Sequence, residues 1–140
     1  MRRRQLAQVA IAVTHTGTEA TTYSNSANSD GTAFIPIDGT ELEWLEGFLK
    51  LVLTGSPVTP SIAVTLQNSP DGGTTWRDVM AFDAMTSTGT QTASEECNRM
   101  HGTEARRFLS ALPGSWRLKF VASTDSGAAT WTGTLYLFGA

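Results

Sequence analysis

The 140-residue chain holds a single cysteine, Cys97, which excludes any intrachain disulfide. Charge is equally sparse: Asp, Glu, Lys and Arg together make up 16% of the residues, which does not suit a helical bundle. The net charge of −3 argues against nucleic-acid binding by the body of the chain. No apolar run approaches the roughly 20 residues that a membrane helix needs, so no membrane partner is expected. The start, MRRRQLAQVAIAV, has the basic tip and apolar centre of a secretory leader. However, Gln8 interrupts that centre, the run 9–13 is short, and no small-x-small cleavage site follows, so the segment is read as part of the working protein. Present in quantity are Thr, Ser, Gly and Ala, beside 40% apolar residues. That is the composition of a β-rich domain with uncharged polar faces, and 140 residues suffice for one genuine core.

The hydrophobic pattern supports this reading. Residues 61–68 (SIAVTLQN) alternate, with Ile62, Val64 and Leu66 on one face. Residues 116–121 (WRLKFV) set Trp116, Leu118 and Phe120 against Arg117 and Lys119, and residues 129–138 (ATWTGTLYLF) alternate around Trp131, Leu135 and Leu137. Further strands are expected at 33–37, 75–82 and 105–112, with 87–93 a polar strand or loop and 94–102 irregular or one helical turn. Residues 40–55 read as one long strand with a β-bulge at Gly47, where the alternation changes phase; Thr40 and Glu43 have capping-box spacing, so a helix is the second reading. The expectation is an all-β sandwich or jelly roll of about eight antiparallel strands spanning 33–140. Residues 1–32 are expected to form an extended N-terminal arm outside it.

One short stretch stands out. SPDGGTTW matches S-x-D-x-G-x-T-W through Ser69, Asp71, Gly73, Thr75 and Trp76. The pattern resembles the Asp-box of sialidases and other β-propeller enzymes. Each of its residues has a structural role. Pro70 and Asp71-Gly72 favour a tight turn, the Ser69 hydroxyl and Asp71 carboxylate accept turn N–H groups, and Trp76 covers the turn on its return. A propeller needs several such blades, and the motif occurs once. Ser69, Asp71, Gly73 and Trp76 are therefore assigned to a structural turn.

The run VTLQNSPDGGTTWRDV, then LPGSWRLKFVAST, then the alternating C-terminal strand, resembles a group of small tailed-phage virion proteins over about residues 43–138. That resemblance implies a non-enzymatic virion protein that binds the assembled capsid shell, as a decoration, cement or minor capsid protein. It implies the major capsid protein as partner, a homo-oligomer with a trimer among the forms considered, and residence in the virion after assembly in the host cytoplasm. A head–tail connector component and a carbohydrate-binding sandwich displaying one of Trp44, Trp76, Trp116 or Trp131 are the alternatives.

Other chemistry has weak support. Cys97 and His101 lie four apart, but two ligands plus a distant His15 do not make a zinc site, and nothing supplies the oriented base and oxyanion hole of a thiol nucleophile. Glu95, Glu96, Asp78 and Asp83 offer carboxylates without a visible cleft to set their separation. No catalytic residue, metal ligand or cofactor is assigned. The sharpest charge cluster is Arg2-Arg3-Arg4. With Leu6, Val9, Ile11 and Val13 it is assigned to a partner-binding arm, in which the apolar residues pair with a neighbour and the arginines seek acidic surface. On that reading, deleting residues 1–32 leaves a folded sandwich that binds its particle more weakly.

Overall fold

The computed structural model describes residues 4–23, 44–69, 73–98 and 115–139. These form eight strands: β1 (Arg4–Thr16), β2 (Ala20–Tyr23), β3 (Trp44–Gly55), β4 (Ser61–Ser69), β5 (Arg77–Ala81), β6 (Gly89–Asn98), β7 (Ser115–Ser123) and β8 (Ala128–Gly139). Among the described residues there is no helix. The strands build two four-stranded sheets with the orders β1-β8-β3-β6 and β2-β7-β4-β5. Each strand of the first half pairs antiparallel with its mirror in the second half: β1 with β8, β2 with β7, β3 with β6, β4 with β5. The chain is thus one long antiparallel ribbon, wound so that β8 also meets β3 and β7 meets β4. This is an eight-stranded jelly roll.

Period-two alternation explains the winding. In β3, Leu45, Gly47, Leu49, Leu51 and Leu53 are buried while the residues that alternate with them face outward. Ile62, Val64 and Leu66 of β4 and Trp116, Leu118 and Phe120 of β7 do the same from the opposite sheet, and all join one core with Trp131, Leu135 and Leu137 of β8. Only folding the two sheets face to face removes both apolar faces from water. Arg117 and Lys119 are outward and half-buried, as the alternation requires. The indole Nε1 of Trp131 is enclosed in this core without a hydrogen-bond partner among the described residues.

Several expectations are corrected. Residues 4–16 are not an arm: β1 runs in register with β8 from Arg4↔Gly139 to Thr16↔Ala128, and Ala7, Val9 and Ile11 lie in the core. The apolar side of this segment finds its strand partner within the same chain, so the sandwich begins at β1 and not at residue 33. Residues 20–23, expected in a loop, form β2. Residues 94–98, expected to be irregular, continue β6. Residues 40–55 contain a strand, which removes the helical reading, but there is no bulge at Gly47: the register runs unbroken through Glu46, Gly47 and Phe48 against both β6 and β8. Gly47 keeps the phase of Leu45 and Leu49 and faces inward. A Cβ there would lie 2.8 Å from Phe82 Cζ and 3.1 Å from Met80 Sδ, so the missing side chain is the space those two residues fill. A bulge does occur in the β4–β5 hairpin, between Leu66 and Gln67, where Leu66 opposes Met80 and Gln67 opposes Asp78. The expected strands at 33–37 and 105–112 lie outside the described residues.

Candidate functional site

The outer face of the second sheet carries a connected polar and aromatic cluster. Alternation points Gln67 of β4 and Arg117 of β7 to this face, and the register sets them side by side. Arg117 Nε–H donates to Gln67 Oε1 at 2.8 Å, and Gln67 Nε2–H donates to Asp78 Oδ1, also at 2.8 Å. These two bonds together fix the orientation of the Gln67 amide. The Arg117 guanidinium lies between two rings, 3.8 Å from the Tyr23 centroid and 4.1 Å from that of Trp76. Both distances are well inside the range where a ring quadrupole attracts a cation. One arginine thereby ties together β2, β4, β5 and β7.

The turn that delivers Trp76 is built by the motif residues that the structure describes. Gly73 N–H donates to the buried Ser69 hydroxyl at 2.8 Å, and the Trp76 indole N–H donates to Gly73 O at 3.1 Å. Gly73 has φ +97°, a left-handed conformation that suits glycine. Ser69, Gly73 and Trp76 are therefore gathered in one turn, while Asp71 lies outside the described residues. The cluster bonds the Gln67 amide at both its oxygen and its nitrogen and holds the hairpin and the short edge strand β2 to the sheet. Arg117→Ala leaves the buried Gln67 oxygen without its donor and separates two rings, so a loss of about 1–3 kcal/mol is expected in denaturant unfolding. Arg117→Lys does not recover it, because an ammonium lacks the planar group that stacks between rings. An unchanged unfolding midpoint in either variant would refute this account.

Sequence reasoning found Trp76 and the outward direction of Arg117 but missed Tyr23 and Gln67. Gln67 was signalled by its outward position two residues before the turn serine; Tyr23 was signalled only as the single large ring in a polar stretch.

Elsewhere, the residues assigned to partner binding are dispersed by the fold. Val9 and Ile11 are in the core, Leu6 and Val13 pack half-buried against it, and Arg4 opens β1. Arg2 and Arg3 lie outside the described residues. His15 Nε2 lies 2.7 Å from Thr18 O and 3.2 Å from Gly17 O, within its own turn. Cys97 stands in β6 opposite Leu45, and His101 lies outside the described residues. Among the described residues no group of three or more His, Cys, Asp or Glu side chains is placed to hold a metal ion. Of the four tryptophans, Trp116 and Trp131 are buried and Trp44 and Trp76 are half-buried.

The outer face of the first sheet is different in character. From β3 it presents Trp44, Phe48 and Val52, and from β8 Thr130, Thr132, Thr134 and Tyr136. Phe48 and Tyr136 are register partners whose rings stand 6.2 Å apart with a 40° tilt.

No family model matches the sequence, and no curated protein matches it. Among solved structures, the fold is similar to a chain of the naturally occurring empty particles, or top component, of cowpea mosaic virus. The TM-score is 0.46 at 13% identity, covering 96% of this chain and 86% of that one. It is also similar to a chain of the infectious bursal disease virus Gt strain, with TM-score 0.44, 15% identity, and 98% and 32% coverage. A chain of broad bean stain virus follows at TM-score 0.37, 17% identity, and 71% and 60% coverage. All three neighbours are proteins of viral particles.

Proposed function

We propose that this chain is a non-enzymatic structural protein of a viral particle, which binds the assembled shell and stabilises it as a decoration, cement or minor capsid protein. The observation that carries the reading is the outer face of the first sheet. It sets the Phe48–Tyr136 ring pair and Trp44 beside a run of threonines, with Glu46 and Lys50 as the charges that the central strand β3 adds to that face. Aromatic enrichment with sparse charge is the composition of a protein–protein contact centre. The resemblance to tailed-phage virion proteins over residues 43–138 agrees with it and supplies the major capsid protein as partner. A ligand that binds the closed shell and not the free subunits stabilises the shell by mass action, without chemistry of its own.

The test is to add purified chain to particles that lack it and to measure occupancy and the heat resistance of the shell. Phe48→Asp, on the solvent side of β3, is expected to fold normally and to lower occupancy at least tenfold, equivalent to about 1.4 kcal/mol of binding. A Phe48→Asp chain that occupies particles as well as the unaltered chain would remove this face from the reading. Copy number in the same particles separates the roles: hundreds mark a decoration protein, about a dozen a connector component.

A further inference from the structure

We propose that β1 is a pairing edge, through which two copies of this chain join antiparallel, β1 to β1, and fuse their first sheets into one. The inference concerns self-association and does not depend on what the assembled protein binds.

A two-sheet sandwich has four edge strands, and among the described residues these are β1 and β6 in one sheet, β2 and β5 in the other. Edges expose unpaired N–H and C=O groups, and proteins blunt them with shortness, charge, proline or bulges. Three of these edges are blunted. β2 is only 4 residues long. β5 carries Arg77 and Asp78 and is bulged against β4. β6 carries Glu95 and Glu96. By contrast β1 runs for 13 residues, and after Arg4 it reads QLAQVAIAVTHT, with no Asp, Glu, Lys, Arg or Pro. Its one irregularity lies near its start, between Gln5 and Ala7. Beyond that point it is a flat, neutral template.

The ground beneath this edge is shaped for an added strand. A groove of about 400 Å³ opens beside β1, lined by residues 10–14 of that strand, by Thr22 and Tyr23 of β2 and by Phe120. A strand added to β1 directs alternate side chains to the inward face, beside Ile11, Val13 and Phe120, so its inward residues must be uncharged and its outward ones small or polar.

β1 itself meets that requirement. In an antiparallel pair, opposed residues point to the same face. The midpoint of the strand is Ala10, and pairing about it opposes Val9 with Ile11 and Ala7 with Val13, all on the inward face. Gln8 then meets Ala12, and Ala10 meets its own copy, all exposed. The same register carries Arg4 to the far end of the partner's β1, beside the turn that holds Glu19. Asp125 adjoins that turn, because Thr124 N–H donates to Gly17 O and Gly17 N–H to Thr124 Oγ1. A basic start thus faces an acidic end twice about one two-fold axis, the isologous arrangement of a symmetric dimer.

The experiment uses the full chain. Sedimentation equilibrium is expected to show a reversible species at twice the 15.0 kDa chain mass, weakening as salt is raised. In a Cys97→Ser background, Ala10→Cys places two thiols across the axis at the roughly 4.5–5.5 Å Cα separation of opposed residues, within disulfide reach. Ala12→Cys places them about 14 Å apart along the paired strands. With oxidised glutathione the first variant is expected to convert to a covalent dimer at least tenfold faster than the second. An unaltered chain that stays monomeric at every concentration would overturn the proposal, as would equal cross-linking at positions 10 and 12.

Discussion

Deleting residues 1–16 is expected to leave a chain that does not fold. The segment supplies the whole of β1, which pairs with β8 along its length and places Ala7, Val9 and Ile11 in the core. Burial of a Val or Ile side chain is worth about 1.5–3 kcal/mol, so Val9 and Ile11 alone account for several kcal/mol. Leu6 and Val13 add partial burial, and the outer edge of β8 loses its backbone partner. A domain of this size has a total stability of about 5–15 kcal/mol, and these losses consume most of it. The loss of β1 also opens the inward faces of Trp131 and Leu135 to water, since their register partners are Val13 and Val9. Far-UV and near-UV circular dichroism of the truncated chain are expected to show no cooperative melting. A truncated chain that melts cooperatively within a few degrees of the full one would restore the arm reading that the fold contradicts.

Replacing Trp116 by alanine is expected to cost about 3–5 kcal/mol, the range for deleting a buried aromatic side chain. Trp116 is 1% exposed, in the core that both sheets enclose. Neighbours held in two hydrogen-bonded sheets cannot collapse into the vacated space, which places the loss in the upper part of that range. The melting temperature should fall by about 10 °C or more. Lys119, three residues on, faces outward on the same strand, and Lys119→Ala is expected to change stability by less than about 0.5 kcal/mol. The contrast tests the register directly, since a one-residue slip exchanges the two faces. Comparable losses in the two variants would show that β7 does not present the face described.

The strands that sequence made legible are those with a clean period of two. β4, β7 and β8 each set large apolar residues against small or polar ones, so both the element and its buried face could be read. β1 also alternates, but between Val9 and Val13 its outward residues are alanines, and alanine marks neither face strongly. Its place in the sheet depends on β8, more than a hundred residues away, and nothing local announces that partner. Gly47 misled in a different way. Without a side chain it broke the visible alternation, and the reason it is glycine, the Phe82 ring pressed against its Cα, belongs to the other sheet. At the motif, Ser69 and Trp76 each bond Gly73, contacts between residues close in sequence. The Arg117 stack was readable only in part, because Tyr23 reaches it from a four-residue strand whose pairing partner among the described residues is β7.

The pairing of β1 with β8 also sets an order of events during synthesis. A ribosome adds about 5–20 residues per second, so roughly 6–25 seconds separate the emergence of β1 from that of the strand that shelters it. Until then a neutral, alternating, alanine- and valine-rich segment has no intramolecular mate. On a polysome, where many nascent copies lie close together, its most available mate is the same segment of a neighbouring chain. Yield should therefore depend on translation speed and on holdase chaperones more than the stability of the finished fold would suggest, and slower initiation, which spaces nascent chains apart, should recover soluble protein.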